Sequence, residues 1–220
     1  MVSVGPTASV GHLGRRPVEL KFTSAHHLHM SVVEDAARLY RSALPVLGVS
    51  LLGGLLAGTV LGTQGMRQAL ESFPGVLLML PALLATRGNV YGALGARIAT
   101  GLHQGLIEPR IAADERIVGA VSAAVVNGVL VAGFIALASW SYLAATGRPR
   151  AGLPVLLAIA LVSTALSAVA MITTLLTLLF LGYRAGYDPD VLMGPIVTTT
   201  GDVFGVVNVY VAVLLVGVVT

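Results

Sequence analysis

One carboxylate stands in the middle of a long apolar stretch near the end of the chain. Asp202 lies in the segment GPIVTTTGDVFG, inside the apolar run Val191–Val219. A helix rises about 1.5 Å per residue, which places Asp202 about 16 Å along this run, and the hydrocarbon core of a membrane is about 30 Å thick. An acidic side chain at that depth is costly unless water, a cation or a partner compensates it, so Asp202 is a candidate functional residue. A hydrogen bond to a neighbouring helix is the structural alternative.

The segment before Asp202 offers hydroxyl and carbonyl oxygens. Carboxylate, hydroxyl and carbonyl oxygens are hard ligands, which suit magnesium or calcium better than softer metals. Magnesium gives up its water reluctantly, so its site needs few direct protein ligands and can bind a partly hydrated ion. At helical spacing Thr198 and Gly205 share a face with Asp202. The oxygen donors of this segment are Thr198, Thr199, Thr200 and Gly201.

A single Asp202 per chain is a weak ligand set for a divalent ion. A two-fold dimer would bring two copies of Asp202 to a shared axis, which favours a pore at a subunit interface. Two alternatives stay open. The chain is a non-conducting partner or membrane scaffold in which Asp202 pairs with Arg87, or it transports another substrate, such as sodium, a proton-coupled solute or an anion attracted by Arg87.

The composition is that of a polytopic membrane protein. Of the 220 residues, 56% are hydrophobic and only 10% are charged, whereas about 25% of a soluble domain is charged. We therefore expect an all-α fold with five transmembrane helices in the cell membrane, embedded in the lipid bilayer and binding no nucleic acid. The sequence contains no cysteine, which excludes disulfides and thiolate metal sites.

Apolar runs predict where the five spans lie. Most basic residues fall on the inside when the N-terminus is cytoplasmic, so we expect the C-terminus outside. We expect residues 1–43 to be a cytosolic segment with a loose terminus and a short interfacial helix, and residues 44–220 to be the transmembrane domain. A polar loop is expected at Gly62–Ser72. The predicted spans are Leu44–Leu61, Phe73–Thr100, Ile117–Tyr142, Pro154–Leu181 and Val191–Val219.

The second span contains residues that disturb a regular helix. Pro81 removes a backbone donor, Gly88 loosens the helix, and the stretch exceeds the roughly 20 residues that cross a membrane. We expect it to be tilted, broken or extended into water, because freed carbonyls at membrane depth line a wet cavity or are buried in protein. Arg87 is its one deep basic residue, which either snorkels or pairs with a carboxylate. Asn89 and Gly92 share a face of this helix.

Enzyme motifs are missing from the sequence. It contains no His-Glu-x-x-His, no Gly-x-Ser-x-Gly and no phosphate-binding loop. An intramembrane hydrolase needs two ionisable groups that face each other, and the spans offer only Asp202 and Arg87. We therefore expect transport and no enzymatic activity.

Two segments resemble a known family. PALLATRGNVYGALGARIATGLHQG, Pro81–Gly105, is similar to the second transmembrane helix of MgtE-type magnesium transporters and of the related animal solute-carrier proteins. DPDVLMGPIVTTTGDVFG, Asp188–Gly205, resembles their fifth helix. The resemblance implies a five-helix unit that dimerises, with helices 2 and 5 of both halves lining the pore. Asp202 would then bind hydrated, transported magnesium, while Gly88 and Asn89 would line the path.

These considerations give one set of expected site residues. The cation contacts are expected from Asp202, Thr198, Asn89 and Gly88, and bound magnesium with a regulatory role stays open. Pore-lining or gating roles are expected for Arg87, Gly92, Thr199 and Gly205.

The chain departs from the family at two points. Bacterial members have a cytosolic amino-terminal domain and tandem nucleotide-binding modules that gate the pore, and these 220 residues contain neither. Bacterial members also favour glycine where Arg87 stands, whereas the first half of the animal tandem-repeat proteins has a basic residue there. Because two Arg87 side chains on one pore axis would repel a cation, one hypothesis is a heterodimer with a homologous, Arg-free half. The other is a homodimer.

Overall fold

The computed structural model describes residues 25–110 and 114–219 and, for part of the first helix, the backbone alone. Every regular element in these ranges is a helix, which confirms the all-α prediction there. The loose terminus expected before residue 25 lies outside the described residues. The six described helices are α1 (Ala25–Leu61), α2 (Gln64–Ser72), α3 (Val76–His103), α4 (Glu115–Ala145), α5 (Leu153–Arg184) and α6 (Pro189–Val219).

Four of these helices, α3 to α6, are long and apolar enough to cross a membrane. The described residues provide a fifth crossing if the end of α1, Leu47–Leu61, and α2, Gln64–Ser72, form a single span, and these two pieces are bent by 64° relative to each other. The expected multi-pass helical architecture is confirmed, while the count of five spans stays a prediction.

The expected polar loop at Gly62–Ser72 is wrong for most of its length, because Gln64–Ser72 forms α2. The hydroxyl oxygen of Thr63 accepts a hydrogen bond from the backbone N–H of Met66 at 3.3 Å and so caps the helix. Met66 and Ala69, three residues apart, are buried, which places them on one face. A polar sequence therefore becomes helical because one narrow face packs against the rest of the protein.

The second predicted span is one continuous helix, so the broken-helix alternative is wrong. α3 has 28 residues with Pro81 inside it, which corresponds to a length of about 42 Å. A helix of that length is tilted in a hydrocarbon core of about 30 Å or extends beyond it.

The turn after α5 contains Gly186, whose φ of 86° is accessible to glycine at little cost.

Contacts divide the chain into residues 1–42 and residues 43–220, and the predicted domain boundary at residue 43 stays a prediction. Within the second unit, α6 packs along α5 and α3, and α4 packs against α5 and α3. The fully buried side chains come largely from α3 and α5, among them Met79, Ile98, Ile159, Met171 and Leu175. The triple contact of α3, α5 and α6 is therefore the frame that positions the predicted site helices.

Candidate cation site and its supporting helices

Asp202 lies on α6 with its side chain exposed. No hydrogen bond or ion pair reaches it from any residue that the structure describes. Thr198, one turn earlier on the same helix, is also exposed. The structure therefore presents a carboxylate and a hydroxyl together on one accessible face of a membrane-length helix.

The hydroxyl of Thr198 is held by α6 itself and by α1. Its Oγ1 donates to the carbonyl of Gly194 at 3.0 Å, and it lies 3.2 Å from Oγ of Ser50. Ser50 also lies 3.2 Å from Oγ1 of Thr199. The approach of α1 is close, because a Cβ added to Gly53 would lie 2.7 Å from Cγ2 of Thr199. These contacts fix the threonine segment, and Thr198 Oγ1 can still act as an acceptor.

The predicted site residues of α3 line an open surface. Gly88 and Asn89 are exposed and Gly92 is half-buried. A Cβ added to Gly88 or to Gly92 would meet no atom of the described part of the chain within 4 Å. There is consequently free space beside this part of α3.

α3 and α6 touch through Gly205, which is buried. A Cβ added there would overlap Cδ2 of Leu84 and lie 2.9 Å from Nη1 of Arg87. Gly205 is one turn after Asp202, so this contact places the carboxylate-bearing segment of α6 beside α3. Among the described residues no hydrogen bond or ion pair joins Asp202 to Asn89, so their predicted cooperation stays a prediction.

Arg87 is buried, with only 4% of its surface exposed. Its Nη2 donates to Oγ of Ser163 on α5 at 2.5 Å, while its Nη1 is buried and has no hydrogen-bond partner among the described residues. Within the described part of the chain, Arg87 and Asp202 form no ion pair. The guanidinium of Arg87 is therefore held inside the bundle by α5. This arrangement differs from both expected alternatives, which are snorkelling and pairing with Asp202.

A second buried polar contact lies one turn further along α5. Nδ2 of Asn208 on α6 donates to Oγ of Ser167 at 3.1 Å, and both residues are buried. Ser163 and Ser167 are four residues apart and so face the same side of α5. The sequence analysis did not single out Asn208, and the fourth span contains several hydroxyl residues with no local signal that marks Ser163 and Ser167.

Comparison with known proteins identifies the family to which this chain belongs. The profile of the MgtE family, described as divalent cation transporter, matches residues 80–213, which is more than half of the chain. No curated protein and no solved structure matches this chain. The matched stretch contains the exposed faces of α3 and α6 that carry Asn89 and Asp202. The chain is a multi-pass helical membrane protein and belongs to the MgtE family of divalent cation transporters.

Proposed function

We propose that this protein transports magnesium across the cell membrane through a pore at a dimer interface, and that Asp202 binds the ion. The observation that carries the proposal is the exposed carboxylate of Asp202, which has no partner among the described residues. An ionised carboxylate facing lipid at this depth would be strongly unfavourable. A water-filled path with a cation removes that cost.

The dimer follows from the surface on which Asp202 lies. In a two-fold assembly the same patch of both subunits meets itself, so two exposed Asp202 carboxylates would face one axis. Two carboxylates balance the charge of a divalent ion, which one does not. The exposed positions Thr198, Gly88 and Asn89 are proposed to line the same path, and the partner is either a second copy or a homologous half.

Magnesium is proposed because the available ligands are oxygens and the space is generous. The carboxylate of Asp202 and the hydroxyl of Thr198 are hard donors, and magnesium keeps several waters when it binds a protein. Gly88 and Gly92 leave room beside α3, and such room favours passage of an ion that keeps part of its hydration shell. In this arrangement Arg87 lies behind the path, where it is shielded from the ion by the packing of α3 on α6.

Flux into liposomes containing the purified protein tests the proposal. We expect Asp202→Asn to lower magnesium uptake about 10- to 100-fold, because a loss of about 1.4 to 3 kcal/mol of cation stabilisation has that effect. The matched control is Glu115→Gln, which neutralises an exposed carboxylate in the first turn of α4 and leaves flux unchanged. Wild-type flux through a correctly inserted Asp202→Asn dimer would contradict the proposal, and parallel assays with cobalt and calcium define the selectivity.

A non-conducting partner or scaffold is the second candidate function. The buried contacts of Arg87 with Ser163 and of Asn208 with Ser167 favour it, since both join helices without contributing to an open path. A scaffold gives no flux as a purified homodimer, and it shows flux only when co-expressed with an Arg-free half. Magnesium transport by the homodimer alone would exclude both the scaffold and the required heterodimer.

We further propose that the N-terminus is cytoplasmic and the C-terminus external. This orientation requires five crossings, and hence requires that the bent pair Leu47–Leu61 and Gln64–Ser72 crosses the membrane once. The natural sequence contains no cysteine, so single Ser3→Cys and Thr220→Cys variants report the two termini without background. Labelling of Thr220→Cys alone by an impermeant maleimide in intact cells supports five crossings. Labelling of both or neither terminus indicates an even number and contradicts the proposed orientation.

A further inference from the structure

We propose a second metal site where the end of α3 meets the start of α6, formed by His103, Asp188 and Asp190. His103 is the last residue of α3, Asp188 directly precedes α6, and Asp190 is in its first turn. One ligand atom from each of the three side chains lies within 4.8 Å of the others. This site does not depend on the proposed role of Asp202.

Each distance from the His103 ring to an aspartate fits two ligands of one ion better than a direct hydrogen bond, although the two distances start from different nitrogens. Nε2 of His103 lies 3.5 Å from Oδ1 of Asp188, and its Nδ1 lies 3.6 Å from Oδ2 of Asp190. Hydrogen bonds between such atoms are about 2.7 to 3.2 Å long. Two ligands bound to one tetrahedral ion at about 2.1 Å are separated by about 3.4 Å. A common ion would bind one of these nitrogens, so the ring or a carboxylate must rotate to bring the second aspartate to it from within 4.8 Å.

The imidazole has a carboxylate beside each of its nitrogens. A histidine ring binds a metal through one nitrogen, and the other N–H commonly donates to a carboxylate that orients the ring. In the proposed site one nitrogen of His103 binds the ion together with both carboxylates, each of which has an oxygen within 4.8 Å of that nitrogen. An ion between α3 and α6 would join the ends of the two helices that are proposed to line the cation path.

The backbone around the cluster is held in place by other contacts. Oδ1 of Asp188 accepts the backbone N–H of Asp190 at 2.9 Å. The hydroxyl of Tyr183 donates to the carbonyl of Leu102 at 3.3 Å, which connects the end of α5 to the residue before His103. The three ligand residues thus belong to a defined junction of helix ends.

The ligand types select a different metal from that proposed at Asp202. One imidazole with two carboxylates suits manganese, cobalt, nickel or zinc, whereas magnesium and calcium prefer oxygen ligands alone. The side chains of His103, Asp188 and Asp190 are 43%, 56% and 61% exposed, so an ion can enter from solvent and keep bound water. We therefore assign the site to an exchangeable first-row transition ion.

Cobalt binding to the purified full-length protein tests this site. Equilibrium dialysis measures the affinity, and the visible absorption of bound cobalt reports its coordination geometry. We expect His103→Ala and Asp190→Asn each to weaken binding more than tenfold, as losses in a first or second ligand sphere do. The control variant Glu115→Gln, which neutralises an exposed carboxylate of α4 outside both proposed sites, retains this binding, and a large excess of magnesium fails to displace the cobalt.

The cobalt affinities of the variants can contradict the proposed metal site in two ways. Unchanged cobalt affinity in a folded His103→Ala protein would overturn the proposal, as would loss of binding in Asp202→Asn alone, since the metal would then occupy the transport site. The conservative His103→Gln variant keeps the side-chain volume and replaces Ala if the latter does not fold. Because the readout is binding and not flux, a failure of magnesium transport leaves this test intact.

Discussion

The buried guanidinium of Arg87 gives a prediction whose magnitude differs between two single variants. Ser163→Ala removes the hydroxyl that accepts from Nη2, while Nη1 already has no hydrogen-bond partner. The variant leaves a charged group 4% exposed without any side-chain acceptor. A hydrogen bond to a charged group contributes about 1.5 to 3 kcal/mol, so we expect Ser163→Ala to lower the free energy of unfolding by about 2 kcal/mol.

Removing the charge itself is expected to change the stability much less. Arg87→Met keeps a long flexible side chain between α3 and α5, and replacing a buried charge by an apolar group of similar size is often neutral or stabilising. The freed hydroxyl of Ser163 can donate to the carbonyl four residues earlier in its own helix. We therefore expect Arg87→Met to change stability by less than about 1 kcal/mol, and the double variant to resemble it. The resulting coupling energy is about 2 kcal/mol.

Unfolding in detergent micelles measures these differences. Trp140 is the single tryptophan of the protein and its fluorescence reports the transition. Ser122→Ala is the matched control, since the hydroxyl of Ser122 is exposed and donates only to its own helix, and we expect a change within about 0.5 kcal/mol. Equal losses for Ser163→Ala and Arg87→Met, with additive behaviour in the double variant, would refute the reasoning.

Other substitutions test the remaining contacts. Gly205→Ala places a Cβ against α3 and should lower the free energy of unfolding by about 1 to 3 kcal/mol in the same assay. Gly133→Ala, which has open space around it among the described residues, should not destabilise the protein. Equal stabilities of the two variants would contradict the close approach of α3 and α6. Asn208→Ala removes the donor to Ser167 and should cost about 1 to 3 kcal/mol, including the lost packing of a buried side chain; a thermal midpoint equal to wild type would refute this. Ser50→Ala should leave stability within about 0.5 kcal/mol, because the hydroxyl of Thr198 keeps its bond to α6; a larger loss would show that α1 depends on this contact.

The sequence was sufficient to place the long helices. The predicted third span, Ile117–Tyr142, lies inside α4, and the predicted fifth span, Val191–Val219, ends where α6 ends. Span position follows from the length and apolarity of a local run, since a bilayer requires about 20 apolar residues in one helix. The helix Gln64–Ser72 was not predictable in this way, because its polar composition hides the single face that tertiary packing buries.

Asp202 is the clearest case of a residue that the sequence alone marks out, since a carboxylate in a membrane-length apolar run is costly wherever that run is placed. Only the tertiary structure decided which way each helix is turned. That rotation places Arg87 against Ser163 inside the bundle, leaves Asp202 on an open face, and brings His103 to Asp188 across two helix ends that are far apart in the sequence. Helical periodicity fixes which residues share a face, but the neighbour of that face depends on packing between helices, which no local pattern contains.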